Sequence, residues 1–257
     1  ETESFGDVLA TLDAEQLPLV LQSFKADKPE RLREAMLRYL EQAIPRASEE
    51  AVVGISELDP AVAAPVLAVL KRAGTASARN LLANLARSKD PTLRIEAQVL
   101  AAETPEALHG ELTKLCADSS VRVRMAAYRV LSRHQLRAAA PAIVRQIKAP
   151  SFQTIEQEER RELYKTLLVL SSERGEDLAL EAARKGGLIT SEAREVLRAA
   201  AIDALGEVSR SRTVAAALRE VAQSRWGTSE ETRSRAAAAA GRIEERASSG
   251  ARVEGAS

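Results

Sequence analysis

Val196-Leu197-Arg198-Ala199-Ala200-Ala201-Ile202-Asp203-Ala204-Leu205-Gly206 recurs in imperfect copies along most of this 257-residue chain, and its period decides the fold. Arg198, Ala201 and Leu205 lie zero, three and seven steps along it, which places them on one face of an α-helix. Aligned on that arginine, Arg33, Ala63, Arg94, Arg124, Arg161, Arg198 and Arg233 fall in register, separated by 30, 31, 30, 37, 37 and 35 residues. Three residues after each lies Met36, Val66, Ala97, Ala127, Tyr164, Ala201 or Ala236. Seven after lies Leu40, Leu70, Ala101, Leu131, Leu168, Leu205 or Ala240.

Working outward, each aligned stretch is the second of two helices. The couplets span 13–42, 48–73, 75–103, 104–133, 137–171, 175–208 and 211–246. Asp13, Ser48, Asp90, Ser119 and Ser211 supply side-chain caps at helix starts. Pro29, Pro60, Pro91 and Pro105 sit where a helix lacks a use for its first N–H. Gly74, Gly186-Gly187 and Gly227 end helices. Pro65 lies well inside the second helix of the second couplet, so that helix is kinked or begins later than Asp59-Pro60. Residues 1–246 read as one domain and 247–257, which lack an apolar period, as a flexible tail.

A fixed period built of two helices per unit is the mark of an α-solenoid, in which each unit buries its apolar faces against its neighbours. The motif resembles HEAT repeats of the short bacterial type, with a pattern like Asp-Pro-x-Val-Arg-x-x-Ala-x-x-Ala-Leu-Gly. Asp90-Pro91-Thr92-Leu93-Arg94-Ile95-Glu96-Ala97, the run from Ser119 to Ala127 and the stretch from Val196 to Gly206 are the nearest copies. The resemblance covers residues 13 to 246 and implies an all-α, right-handed solenoid of about seven HEAT-like helix pairs.

Composition agrees with this and narrows the function. Hydrophobic residues make up 45% of the chain but aromatics only 3%, so the apolar content is Ala, Leu and Val. That favours closely packed helices over a sandwich of aromatic and branched strands. Lys plus Arg equals Asp plus Glu at 37 each, without the basic excess usual in proteins that hold phosphate backbones, so no nucleic-acid partner is expected. Cys116 is the single cysteine; it sits in an apolar run and reads as a buried thiol. No run of 18 apolar residues exists, so no direct membrane insertion is expected, and a reducing cytoplasm is the default compartment. The chain opens at Glu1 without methionine, which suggests a piece of something longer.

No catalytic set, metal site or cofactor is expected. HEAT-like hydroxylases bind iron through several His-Glu pairs, whereas here His109 and His134 are the only histidines. HEAT-like DNA glycosylases use several tryptophans in a basic groove, and this chain has only Trp226. The recurring arginines are read as structural, pairing with an acid or carbonyl of an adjacent repeat while their stems cover apolar surface.

The resemblance implies that second helices line the concave side, which makes their non-core positions the expected protein-binding surface: Met125, Tyr128, Arg129, Glu162, Lys165, Ile202 and Asp203. The competing reading is that some of these fill the core between repeats. Trp226 is a candidate interface anchor or a packing residue. Phe152, in the long connector 149–154, either reaches a partner or tucks under the following helix. The expected function is a non-enzymatic scaffold or adaptor for another protein or peptide. Its alternatives are a HEAT-like enzyme or chaperone acting on a partner protein, as phycobilin lyases do, and a nucleic-acid binder.

Overall fold

The computed structural model describes residues 9, 12–48, 62–102, 104–185, 192–224 and 227–254. Every regular element among them is a helix, and their tandem order is consistent with an α-solenoid of six to seven helix pairs. Among the described residues no helix is long and apolar enough to cross a membrane. The chain divides into two compact units, Glu1–Leu108 and His109–Ser257.

The first unit contains α1 (Leu17–Ser23), α2 (Glu30–Ala43), α3 (Ala63–Ala73), α4 (Ala76–Leu85) and α5 (Pro91–Ala101). Helix α2 buries Met36, Tyr39 and Leu40, and the Tyr39 hydroxyl donates to Asp13 O at 2.7 Å, fixing α2 to the turn before α1. Helix α3 packs against both α2 and α5 and buries Val66, Leu67, Val69 and Leu70. Pro65 falls in the first turn of α3, where its missing N–H costs no bond, so the helix begins late and is not kinked. Gly74 closes it at φ 61°, a conformation that L side chains rarely adopt. Thr75 accepts from Ala78 N at 3.2 Å to start α4, and Asp90 accepts from Thr92 N and Leu93 N at 2.9 and 3.0 Å to start α5. The expected helix over 48–58 lies outside the described residues.

The second unit runs through α6 (His109–Leu115), α7 (Val121–Arg133), α8 (Ala140–Lys148), α9 (Gln157–Leu170), α10 (Ser172–Arg184), α11 (Glu192–Val208), α12 (Arg212–Gln223) and α13 (Glu230–Glu254). Helices α7, α9, α11 and α13 stack in succession, and α6, α8, α10 and α12 each pack on the partner that follows them. This is the two-layer arrangement of a solenoid.

Small residues make the stack possible. A Cβ on Gly206 would lie 2.8 Å from Ala239 Cβ and 3.1 Å from its Cα, so α11 and α13 approach closely over an alanine face. A Cβ on Gly175 would meet Leu168 Cα at 2.7 Å, where α10 lies against α9. Dense alanine packing explains how a chain so poor in aromatics still fills a core.

Helix α13 continues to Glu254, through eight residues of the expected tail. Loss of the apolar period ends packing, but without a proline the helix itself has no reason to stop.

Candidate functional site

The repeat arginine does the same job in successive pairs. It turns back to hold carbonyls between the two helices of its own pair. Arg94 Nη1 donates to Ser88 O at 3.1 Å, and Arg124 Nη1 donates to Asp118 O at 2.7 Å and Ser119 O at 3.0 Å. In the fifth pair this role falls to Arg160, which donates from Nε to Phe152 O at 3.1 Å and from Nη2 to Gln153 O at 2.9 Å. Arg160 is the fourth residue of α9, as Arg94 is of α5 and Arg124 of α7. The register assigned to Arg161 is therefore one residue late. Two adjacent arginines share the same apolar spacing, and only the bonds to the connector separate them.

Arg198 is the deepest copy, 1% exposed. Its Nε donates to Ala183 O at 3.0 Å, its Nη1 to Glu195 Oε1 and Gly227 O, both at 2.9 Å, and its Nη2 to Thr228 Oγ1 at 3.0 Å. Glu195 also accepts from Ser229 Oγ at 2.5 Å and Thr232 Oγ1 at 2.6 Å. Burial pushes the Glu195 carboxyl up, but the two hydroxyls and the Arg198 guanidinium more than reverse this and hold it below its ordinary range. The structural reading of the repeat arginines stands.

Around Arg124 the same architecture leaves a cleft of about 340 Å³. Cys116, Tyr128, Gln146, Phe152, Glu159 and Leu163 line it, with Ala117, Asp118, Ser151 and Ile155 also contributing. Arg124 forms a two-pronged pair with Glu159, Nε to Oε1 at 2.5 Å and Nη2 to Oε2 at 2.7 Å. Gln146 Nε2 donates to Cys116 O at 2.6 Å. The Tyr128 hydroxyl stands 3.1 Å from Cys116 O, 3.2 Å from Gln146 Oε1 and 3.5 Å from Glu159 Oε1. All three are acceptors, and a phenol has one proton to donate.

The cleft therefore binds more readily than it attacks. Burial pushes the Cys116 thiol up to about 12, which keeps it protonated and weakly nucleophilic at neutral pH. Burial likewise raises the Tyr128 phenol, which stays a hydrogen-bond donor.

Of the residues expected to face a partner, Arg129 is exposed and Lys165 and Asp203 are half-buried. Met125, Tyr128, Glu162 and Ile202 are buried. Tyr128 and Ile202, each four residues after its arginine, both point into the stack and occupy the same inward slot. Glu162 and Lys165 were placed by the late register, and Lys165 ion-pairs with Glu207 at 2.8 Å and Glu162 at 3.6 Å. Asp203 accepts from Arg235 Nη1 at 2.6 Å. Trp226 lies outside the described residues, as does Gly186-Gly187. Phe152 tucks inward, edge-on to the Tyr164 ring at a centroid distance of 5.5 Å. Arg124, Gln146 and Glu159 were not singled out in the sequence as site residues. Among the described residues no three His, Cys, Asp or Glu side chains group as metal ligands would.

No protein-family model matches the sequence, and no curated protein matches it. Among solved structures, human deoxyhypusine hydroxylase in complex with glycerol is similar over 90% of this chain and 97% of its own, at 14% identity and a TM-score of 0.40. In fold class the chain is all-α, with tandem helix pairs arranged as in a solenoid. The expectation of a non-enzymatic module is withdrawn, because a stack of helix pairs fixes the fold and is by itself no ground for excluding catalysis.

Proposed function

We propose that this chain recognises a partner protein and acts on it as a HEAT-like enzyme or chaperone, holding a segment of that partner in the cleft between α7, α8 and α9. The observation that carries this reading is the cleft itself. Stacking alone asks only for apolar closure, as at Ile202, yet here Arg124, Tyr128, Gln146 and Glu159 converge on a recess whose rim includes the exposed residues Ala117 and Ser151. Concave sites with a few convergent polar groups are where proteins hold ligands. The exposed Arg129, one residue beyond Tyr128 on α7, extends the same helix toward a partner's surface.

The test places the photocrosslinking residue p-benzoylphenylalanine at Ser151 and irradiates the full chain in native lysate. A discrete set of crosslinked proteins is expected, reduced by Arg129→Glu and by Gln146→Leu. Mass spectrometry of the crosslinked protein, before and after incubation with the chain, then reads any covalent change. Crosslinks that are diffuse, or unaltered by both substitutions, sink the reading.

A further inference from the structure

We infer that the exposed face of α7 docks an acidic stretch of the partner chain, next to the segment that the cleft holds. This rests on the reading that a partner segment enters there, and it follows from how charge is spread over a chain whose total is zero. From Ser119 to Ile155 the sequence has no Asp or Glu but seven bases, four of them on α7: Arg122, Arg124, Arg129 and Arg133. Arg124 is taken up by Glu159 of α9. The other three stand seven and four residues apart, which puts them on one face of the helix, and all are exposed.

The second helices that follow neutralise the corresponding face among themselves. Five residues after its repeat arginine, α9 carries Lys165, which pairs with Glu207 of α11 at 2.8 Å, and Arg161 adds a second pair to Glu207 at 3.7 Å. The same position of α11 is Asp203, paired with Arg235 of α13 at 2.6 Å. On α7 it is Arg129, which has no ion pair among the described residues. Arg129 and Arg133 are moreover like charges four residues apart, an arrangement that costs a helix stability and that an acid from outside relieves.

Geometry and chemistry select the guest. Four residues of helix rise about 6 Å and seven about 10.5 Å, close to the reach of two and three residues of an extended chain. An extended segment with acids at such intervals meets all three arginines. The one aromatic ring of α7, Tyr128, is buried, so nucleic-acid bases find no ring on this face to stack on. An acidic polypeptide fits better.

The experiment measures fluorescence anisotropy of four labelled probes with the full chain: a peptide of six glutamates framed by Gly-Ser, its glutamine and lysine analogues, and a twelve-nucleotide oligothymidylate. The glutamate peptide is expected to bind about tenfold or more tighter than the glutamine analogue and to weaken as salt is raised. Joint Arg122→Gln, Arg129→Gln and Arg133→Gln should weaken it by about tenfold, the sum of three exposed ion pairs. Arg145→Gln with Lys148→Gln, on α8 in the other layer of the solenoid, should leave affinity unchanged. Circular dichroism checks the fold of each variant. Arg129→Gln alone, which breaks no ion pair, replaces the triple variant if that one melts early, and should weaken binding about threefold.

Equal binding of the glutamine analogue, unchanged binding by the α7 variants, or an equal loss in the α8 variant overturns the inference. Tighter binding of the oligothymidylate overturns it as well and makes this a nucleic-acid face. Failure of the glutamate peptide with the Ser151 crosslinks intact removes the acidic guest and leaves the partner reading standing. Glutamate binding on α7 without specific crosslinks supports the face and removes the cleft reading.

Discussion

The surroundings of Arg198 and of Arg124 are the same device built two ways. Both arginines hold a turn carbonyl of their own helix pair and a carboxylate, Glu195 for one and Glu159 for the other. Four residues on, Ile202 closes the first site with an apolar side chain, while Tyr128 brings a hydroxyl into the second. Gln98, in the same slot of α5, shows the polar variant in a third pair, donating to Ala86 O at 3.2 Å twelve residues back, as Tyr128 reaches Cys116 O. The stacking arginine is thus kept while the residue four steps on varies from Ile202 through Gln98 to Tyr128 and Tyr164.

The hardest test of that contrast removes each arginine. Arg198→Ala strips Glu195 of its counter-charge, leaving it only the Ser229 and Thr232 hydroxyls, and takes a donor from the carbonyls of Ala183 and Gly227; breaking an ion pair with one deeply buried partner costs up to about 3 to 5 kcal/mol. Arg124 is less deeply placed, its side chain 17% exposed, so Arg124→Ala should cost less. Urea unfolding followed by circular dichroism measures both. An equal or larger loss for Arg124→Ala would show that the cleft is the stronger joint.

Packing gives the next contrast. Gly206→Ala forces a methyl to within 2.8 Å of Ala239 Cβ and should destabilise by about 1 to 3 kcal/mol. Ser151→Ala, at the exposed rim of the cleft, should stay within about 0.5 kcal/mol. Comparable losses from the two substitutions would mean that the cleft is as tightly closed as the joint.

Acid separates the two sites by sign. The Glu195 carboxyl titrates below its unfolded value near ~4.3. Its contribution is complete above that unfolded value and is lost as pH falls through the lower folded one. Unfolding midpoints measured from pH 6 down to pH 3 should therefore drop faster for the wild type than for Glu195→Gln, narrowing the gap between them. The cleft variant Gln146→Leu removes no ionisable group and should run parallel to the wild type. A parallel Glu195→Gln profile would show that Glu195 does not set the acid response.

Much of the fold was legible because repetition averages over local ambiguity. Arg94, Arg124 and Arg198 with Ala97, Ala127 and Ala201 three steps on define a helical face that no single copy could establish. The cleft was less legible for a related reason. Tyr128 was read as outward because the arginine register fixes one face of a helix and leaves the opposite boundary of the core to the neighbours, which sequence spacing does not describe. Glu159 sits in the run Glu158-Glu159-Arg160-Arg161, where only tertiary contacts decide which acid is buried and which arginine turns back. Gln146 belongs to the preceding helix, and a period found in second helices carries no information about it. The available signal was the change of slot residue from Ile202 to Tyr128, a polar end in a position that stacking alone fills with carbon.

The smallest expected effect bears most directly on that slot. Tyr128→Phe keeps the ring and deletes the hydroxyl, making the slot apolar as Ile202 is. Cys116 O remains held by Gln146 Nε2 at 2.6 Å and Glu159 Oε1 by Arg124 Nε at 2.5 Å, so only Gln146 Oε1 loses a donor. The cost in unfolding free energy should be about 1 kcal/mol or less, the size of one neutral hydrogen bond, and well below that of Arg124→Ala. A loss as large as that of Arg124→Ala would make the hydroxyl a structural keystone, and the cleft would then be a joint like the one at Arg198.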